Sequence, residues 1–263
     1  MIDPELGAWL EAGQVRAEQQ GPVLTVTLDR PEQLNAQTPA TWRALTAVGR
    51  TLPPDVRVVV LRGSGPSFSA GLDRAMLTPE GVAGEPSLVG LAALPDTELD
   101  ATIAGFQSAF TWWSQVPAVT VAAVRGNAVG AGFQLALACD LRVVAEDARF
   151  AMRETSLGLV PDLAGTSPLV ACVGYARALE ICATGRWVGA AEAVATGLAT
   201  AAVPSGDLEA AVADLVDALL AAPDAALRET LALLRGAAGR TPGEQQAAER
   251  AAQARRLRAL AGR

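Results

Sequence analysis

Two apolar runs constrain this chain more than anything else in it: Val56-Arg57-Val58-Val59-Val60-Leu61, which stops at Arg62-Gly63-Ser64-Gly65, and Val119-Thr120-Val121-Ala122-Ala123-Val124. β-Branched residues at this density suit strands buried on both faces, and such strands belong to parallel sheets covered by helices. Upstream, Val23–Leu28 alternates apolar residues with threonine as a half-buried strand does and closes at Asp29-Arg30-Pro31, with a hairpin partner expected at residues 15–18. Helices are predicted at residues 38–51, with Pro39 just inside the start, at 100–115, ending before Pro117, and at 132–139, and a further strand at 141–144. This alternation of strands and helices places the chain in the α/β class. Residues 78–96, with several Gly and Pro, read as a mobile loop or lid.

From residue 167 the strand signals fade and Ala-rich helical patterns take over, at 169–173, 176–184, 190–196, 207–222, 225–238 and 243–260, with one short strand expected near 200–204. We therefore expect a core at residues 1–197 and a helical C-terminal region at 198–263. The last of these helices reads as amphipathic, with Ala247, Ala251, Ala254 and Leu257 on one face and Arg250, Arg255, Arg256 and Arg258 around it. Trp112 and Trp113 are expected to be core anchors, while residues 78–99 and 106–113 are expected to wall a pocket.

Two absences narrow the chemistry: the 263 residues include no histidine and no lysine, so all 21 positive charges are arginine. Ser-His-Asp and Cys-His catalysis, histidine-ligated zinc, Schiff-base lysine and P-loop phosphate binding are all excluded. Any general acid or base must be Asp, Glu, Cys, Tyr or a backbone-activated water. A net charge of −7 argues against a nucleic-acid surface. No apolar run approaches the roughly 20 residues of a bilayer span, and Met1 to Glu11 is acidic with no secretory pattern, so the expectation is a cytoplasmic protein. Cys139, Cys172 and Cys182, set among apolar neighbours without C-x-x-C spacing, read as buried free thiols rather than as a disulfide or metal site.

Three segments carry more than scaffold. In Ser64-Gly65-Pro66-Ser67-Phe68-Ser69-Ala70-Gly71-Leu72-Asp73, small residues after a strand let a main-chain amide, that of Leu72, point at a ligand oxygen, although a tight strand-to-helix connection would look the same. In Val124-Arg125-Gly126-Asn127-Ala128-Val129-Gly130-Ala131-Gly132-Phe133-Gln134, a Gly-rich turn opens a helix whose first amides, Ala131 among them, lack intrahelical partners; the glycines equally allow close packing. Gln134 falls early in that helix. In the segment 149–162, Glu154 and Asp162 sit among small and apolar residues, which disfavours their charged forms and suits proton transfer. Asp162 and Thr166 are also candidate N-caps for the following helix.

Taken in order, these segments resemble the crotonase family, the enoyl-CoA hydratase/isomerase superfamily, from about residue 23 to beyond residue 199. Thr27-Leu28-Asp29-Arg30-Pro31 with Leu34-Asn35-Ala36 is similar to the family's opening motif, Phe68-Ser69-Ala70-Gly71-Leu72-Asp73 to its first oxyanion segment, and Arg125-Gly126-Asn127-Ala128-Val129-Gly130-Ala131-Gly132 to its second. Cys139-Asp140 and Gly158-Leu159-Val160-Pro161 follow at the family's spacing. The resemblance implies a spiral of ββα units building two near-perpendicular sheets, a helical C-terminal region, and assembly as a homotrimer or a dimer of trimers. It implies an acyl-CoA thioester substrate and no separate cofactor or metal, since CoA is part of the substrate.

By the same resemblance, the amides of Leu72 and Ala131 hold the thioester oxygen, each contributing about 3–4 kcal/mol in the transition state. Substrate binding falls to Arg30 as a phosphate contact and to Ala36, Ala70, Leu72, Asp73, Arg74, Ala75 and Ala131, while an arginine of the last helix is a further candidate for the CoA phosphates. Glu154 matches the second catalytic glutamate of the family's hydratases, and Gln134 stands where they carry the first. An amide accepts no proton at neutral pH, so double-bond isomerisation by one carboxylate is favoured over hydration. Asp162 matches the aspartate of the family's dienoyl-CoA isomerases, which also carry an acid where this chain has Gln134. The alternatives are a non-catalytic acyl-CoA binder, or decarboxylation or thioester hydrolysis, which use the same amides.

Overall fold

The computed structural model describes residues 4–262. The chain begins with α1 (Pro4–Gly13), then the hairpin β1 (Val15–Gln20) and β2 (Val23–Leu28), α2 (Pro39–Arg50) and β3 (Val58–Gly63). A short α3 (Leu88–Leu91) and the longer α4 (Asp96–Thr111) lead to β4 (Val119–Val124), β5 (Asn127–Val129), α5 (Ala131–Ala138), β6 (Leu141–Ala145) and β7 (Arg149–Ala151). Then follow α6 (Thr166–Val173), α7 (Tyr175–Thr184), β8 (Val188–Gly189), α8 (Ala190–Ala195), β9 (Ala201–Val203), α9 (Leu208–Ala221), α10 (Asp224–Ala237) and α11 (Pro242–Ala261). One sheet has the order β1-β2-β3-β4-β6-β9, parallel apart from the β1–β2 hairpin; a second, β5-β7-β8, stands beside it.

The two apolar runs are strands covered on both sides. Val59 and Leu61 of β3 and Ala122 and Val124 of β4 point into a core shared with Trp42, Leu45 and Phe133. Their neighbours Val58, Val60, Val119 and Val121 pack against Leu208, Val212 and Val216 of α9. The two-residue repeat of a strand thus divides one run between two cores, and each face needs its own helical cover. Beyond residue 197, β9 pairs in parallel with β6 and α9 supplies the outer cover.

α10 is tied down by charge. Arg235 makes a paired contact with Asp140 (Nε to Oδ1 2.9 Å, Nη2 to Oδ2 2.6 Å) and donates to the carbonyls of Trp113, Val116 and Ala118. Asp140 also accepts from the amide and hydroxyl of Thr120, both at 2.8 Å. Arg142, buried and without a carboxylate, instead donates to the carbonyls of Ala136, Cys139 and Leu198, closing the C-terminal end of α5 where a cation is favoured.

Several expectations are corrected. Residues 4–13, read only as an acidic start, form α1, whose weak apolar pattern gave no periodic signal. A second sheet was expected from the resemblance alone; its strands β5, β7 and β8 gave no signal of their own because two or three residues are too short to alternate visibly. The 78–96 stretch contains α3, and α4 starts at Asp96 rather than at residue 100, because Pro95 and the acidic first turn open it. Only Cys139 is buried; Cys172 and Cys182 are partly exposed, and all three are free. On α11 the buried residue is Ala252, whereas Leu257 is exposed. Trp112 and Trp113 are core residues as expected, their rings stacked 4.0 Å apart.

Arg235→Ala leaves Asp140 with its burial and without its cation, and should destabilise the fold by about 3 kcal/mol in urea titration. An unchanged midpoint would show that α10 is not held by this pair.

Candidate active site

The site is built where β3 and β4 end. Leu34 and Asn35 both have positive φ, 50° and 55°, which costs side-chain-bearing residues energy unless the surroundings hold them. Asn35 is held: its Oδ1 accepts from the amide of Arg30 at 2.9 Å, and its Nδ2 donates to the carbonyls of Ser64 and Ser67 at 2.8 Å each. A buried polar chain continues from it. The Ser69 hydroxyl donates to Asn35 O (2.8 Å) and accepts from the Gly71 amide (3.1 Å) and from Gln37 Nε2 (3.0 Å), while Gln37 Oε1 accepts from Trp42 Nε1 (2.8 Å).

That chain fixes the Gly71–Leu72 peptide. Gln37 bridges it in parallel, donating to Gly71 O (2.7 Å) and accepting from Asp73 N (2.8 Å), so the amide of Leu72 faces away from Gln37. Gly71 has φ +88°, and a Cβ there would lie 2.4 Å from the carbonyl oxygen of Val129 and 3.5 Å from the nitrogen of Ala131. Only glycine lets the two turns approach this closely. Ser69 bridges Ala128 of β5, and α5 then opens at Ala131 behind Gly130, which provides no side-chain cap. Among the described residues no backbone carbonyl accepts from the amides of Leu72 or Ala131. Both residues line one cavity of about 320 Å³.

Glu154, Gln134 and Asp162 line the same cavity. Gln134 is buried and its carboxamide has a single possible orientation: Oε1 accepts from the amides of Leu163 (2.9 Å) and Gly165 (3.3 Å), and Nε2 donates to Glu154 Oε1 at 2.7 Å. For these amides to converge, Ala164 between them adopts φ +61°. Glu154 Oε2 is buried with no hydrogen-bond partner. Gly130, at φ +50°, lies beneath this carboxylate; a Cβ there would stand 3.3 Å from Glu154 Oε1. Burial pushes the Glu154 carboxyl above the usual carboxylate range, and the nearby Asp162 adds to the shift against the opposing hydrogen bond from Gln134. Burial raises Asp162 as well. Away from these groups the cavity is apolar, with Leu88 and Leu91 of α3, Leu99, Ile103 and Phe106 of α4, and Leu159. Among the described residues no group of three or more His, Cys, Asp or Glu side chains could hold a metal ion.

The structure brings Glu154, Gln134, Asp162, Leu72 and Ala131 together. Asp162 is no helix cap: α6 begins behind Gly165 with no side-chain cap, so that reading is withdrawn for both Asp162 and Thr166. Ala36, Ala70, Asp73, Arg74 and Ala75 do not line this cavity, and of them Ala36 and Asp73 contact Arg30. Arg30 Nη1 pairs with Asp73 Oδ2 at 2.6 Å and reaches Ala36 O at 3.3 Å, so that nitrogen is occupied within the chain. Asp73 also accepts from the Ala75 amide at 2.9 Å. Although burial opposes them, the Ala75 amide and Arg30 hold its carboxyl below the usual range. Arg74 is exposed. Arg255 and Arg256 both pair with Glu229. Sequence reasoning missed Gln37, Ser69, Trp42 and the Leu163 and Gly165 amides; Gln37 gave no signal in a stretch read as the lead-in to α2.

The cavity thus gathers two residues with unpaired amides, two desolvated carboxyls and apolar walls in one place. The chain belongs to the enoyl-CoA hydratase/isomerase family, whose profile matches residues 18–258. It is 35% identical to the probable enoyl-CoA hydratase echA8 of Mycobacterium tuberculosis over 188 residues, 70% of this chain and 66% of that protein. To the peroxisomal Delta(3,5)-Delta(2,4)-dienoyl-CoA isomerase of Arabidopsis thaliana it is 31% identical over 188 residues, again 70% of this chain and 66% of the relative. The matched segment thus spans just under two thirds of these curated relatives. A Thermobifida fusca YX structure in complex with CoA superposes with a TM-score of 0.91 at 45% identity, covering 97% of each chain. The same TM-score is found for a structure from that organism in complex with acetoacetyl-CoA, at 46% identity over 95% of this chain and 97% of the other. The crotonase fold expected from the motifs is the fold observed.

Because the folded state holds the Glu154 proton more tightly than the unfolded chain, stability declines as pH rises from the ordinary carboxylate value, about 4.3, through the raised one. Glu154→Gln should therefore melt higher than the parent at neutral pH, with the gap closing in acid. A gap independent of pH would mean that Glu154 titrates normally.

Proposed function

We propose that the protein shifts the double bond of an enoyl-CoA thioester from the β,γ to the α,β position, using Glu154 as its one base. The observation that carries this reading is the locked carboxamide of Gln134. Its oxygen is taken by two backbone amides, so Gln134 can only donate, and Glu154 Oε2 is left as the free acceptor.

In the proposed reaction Glu154 Oε2 takes a proton from the α-carbon, and the C–H electrons move into the thioester carbonyl. The resulting dienolate oxygen accepts hydrogen bonds from the amides of Leu72 and Ala131, two residues that line the cavity and whose amides have no backbone acceptor among the described residues. Glu154 returns the proton at the γ-carbon, the double bond settles next to the carbonyl, and no atom is gained or lost. A raised carboxyl pKa suits both halves, since the base must also give its proton back. Asp162, desolvated in the same cavity, is the second candidate for the γ-proton. Arg30 orders the 70–75 segment through Asp73, and the exposed Arg74 is the cation available there for a CoA phosphate. The chemistry needs no cofactor beyond the CoA carried by the substrate.

Hydration is the second reading, supported by relatives named as hydratases and by the remaining hydrogen on Gln134 Nε2, which can point at a water. Against it, the group hydrogen-bonded to Glu154 is the Gln134 amide, which takes no proton, so a second acceptor for the water would have to be Asp162. In the assembly we propose, copies form a trimer or a dimer of trimers, covering apolar residues such as Tyr175, Leu179 and Leu234 that are exposed in the single chain. Sedimentation velocity measures this directly.

Given a β,γ-enoyl-CoA, the protein should raise the ultraviolet absorbance of the conjugated thioester, and Glu154→Gln should lower the rate by about 10²- to 10⁴-fold. Loss of absorbance from an α,β-enoyl-CoA without any β,γ activity would favour hydration; CoA-ester binding with neither change would favour a binder.

A further inference from the structure

Two aromatic rings, Trp42 of α2 and Phe106 of α4, line the Glu154 cavity and also line a second one, about 520 Å³, between α1, α2 and α4. Their centroids are 4.8 Å apart with planes inclined by 56°, so one layer of aromatic side chains divides the two spaces. The two rings are held very differently. Trp42 is buried, donates through Nε1 to the buried Gln37, and meets Phe110 edge-on at 6.0 Å. It belongs to the polar chain that fixes the Leu72 peptide, so it cannot move without disturbing the site. Phe106 has no polar atom, is only partly buried, and stands on α4 beside the exposed Ala104 and Gly105. Turning or trimming its ring breaks apolar contacts alone.

Beyond that ring the second cavity is mixed: Leu6 and Trp9 of α1, Ala47 of α2 and Gly105 of α4 give apolar surface for an aliphatic chain, while Glu5, Arg43, Arg50 and several threonines also line it. On the near side, the groups away from Glu154, Gln134 and Asp162 are aliphatic, and a polar substituent buried there would lose its hydrogen bonds to water with nothing in return.

We propose that Phe106 is the specificity-determining residue for acyl-chain length, and that the space between α1, α2 and α4 is the continuation of the acyl channel beyond it. The substrate class is then a CoA thioester with an unsubstituted hydrocarbon tail whose length is capped where it meets the Phe106 ring. This rests on reading the Glu154 cavity as the acyl site.

The test is calorimetric titration with straight-chain saturated CoA thioesters, which bind without reacting, in two-carbon steps from butanoyl to hexadecanoyl. With the parent protein, affinity should rise roughly tenfold per step while the tail still finds apolar surface, then stop rising at a defined length. Phe106→Ala should move that break to longer chains and Phe106→Trp to shorter ones; Phe106→Leu widens the passage if the alanine variant does not fold. The readout is the position of the break, which a general loss of stability does not shift. A break at the same length in parent and variants overturns the assignment of Phe106 while leaving the acyl site standing. If the parent binds none of the esters, the acyl-site reading and this inference fall together.

Discussion

The structure depends on one constraint: β3 and β4 are buried on both faces, so side chains within those strands have no access to a ligand. Val59 and Leu61 face one core, Val58 and Val60 the other, and the chemistry is displaced to the turns where the strands end. Open parallel sheets place their ligands at strand ends for this reason. Here the two turns are pressed together until Gly71 lies against Val129 and Ala131. That contact puts two unpaired amides beside one cavity, and the buried Asn35–Ser69–Gln37–Trp42 chain holds the arrangement in place.

The same economy of partners governs the acid–base group. A desolvated carboxylate is unfavourable unless its oxygens are satisfied, and among the described residues only one oxygen of the half-buried Glu154 has a hydrogen-bond partner. In the proposed reaction the free oxygen is the reactive one, and desolvation, which raises the carboxyl, suits a group that must both take and return a proton. Gln134 could in principle turn its oxygen toward Glu154's neighbourhood, but the convergent amides of Leu163 and Gly165 prevent it, at the cost of a left-handed Ala164. The apolar walls come from elsewhere, from α2, α3 and α4, none of which provides an acid or base to the cavity. On the acyl-site reading proposed above, specificity can therefore change through residues such as Phe106 without altering Glu154 or its partners.

Legibility followed the length scale of each signal. Six-residue strands and helices of a dozen residues announced themselves by periodicity, and the ordered motifs around Leu72, Ala131 and Glu154 sufficed for the family. Of the strands of two or three residues only β9 was expected, near 200–204; those of the second sheet gave no signal, nor did α1, whose apolar face is weak. Cys172 and Cys182 look as apolar in context as Cys139, but burial depends on which helix face meets the core. Arg30 read as free for a phosphate because nothing local reveals Asp73, 43 positions further on, as its partner.

The sequence by itself determined the α/β class, the exclusion of histidine and lysine chemistry, and the family, because each of these follows from residue type and short-range order. Only the tertiary structure decided which oxygen of Glu154 is free, that Gln134 can donate but not accept, and that Phe106 stands between two cavities. Those facts are set by distances between residues 20 to 64 positions apart in the chain, which close only when both cores have formed.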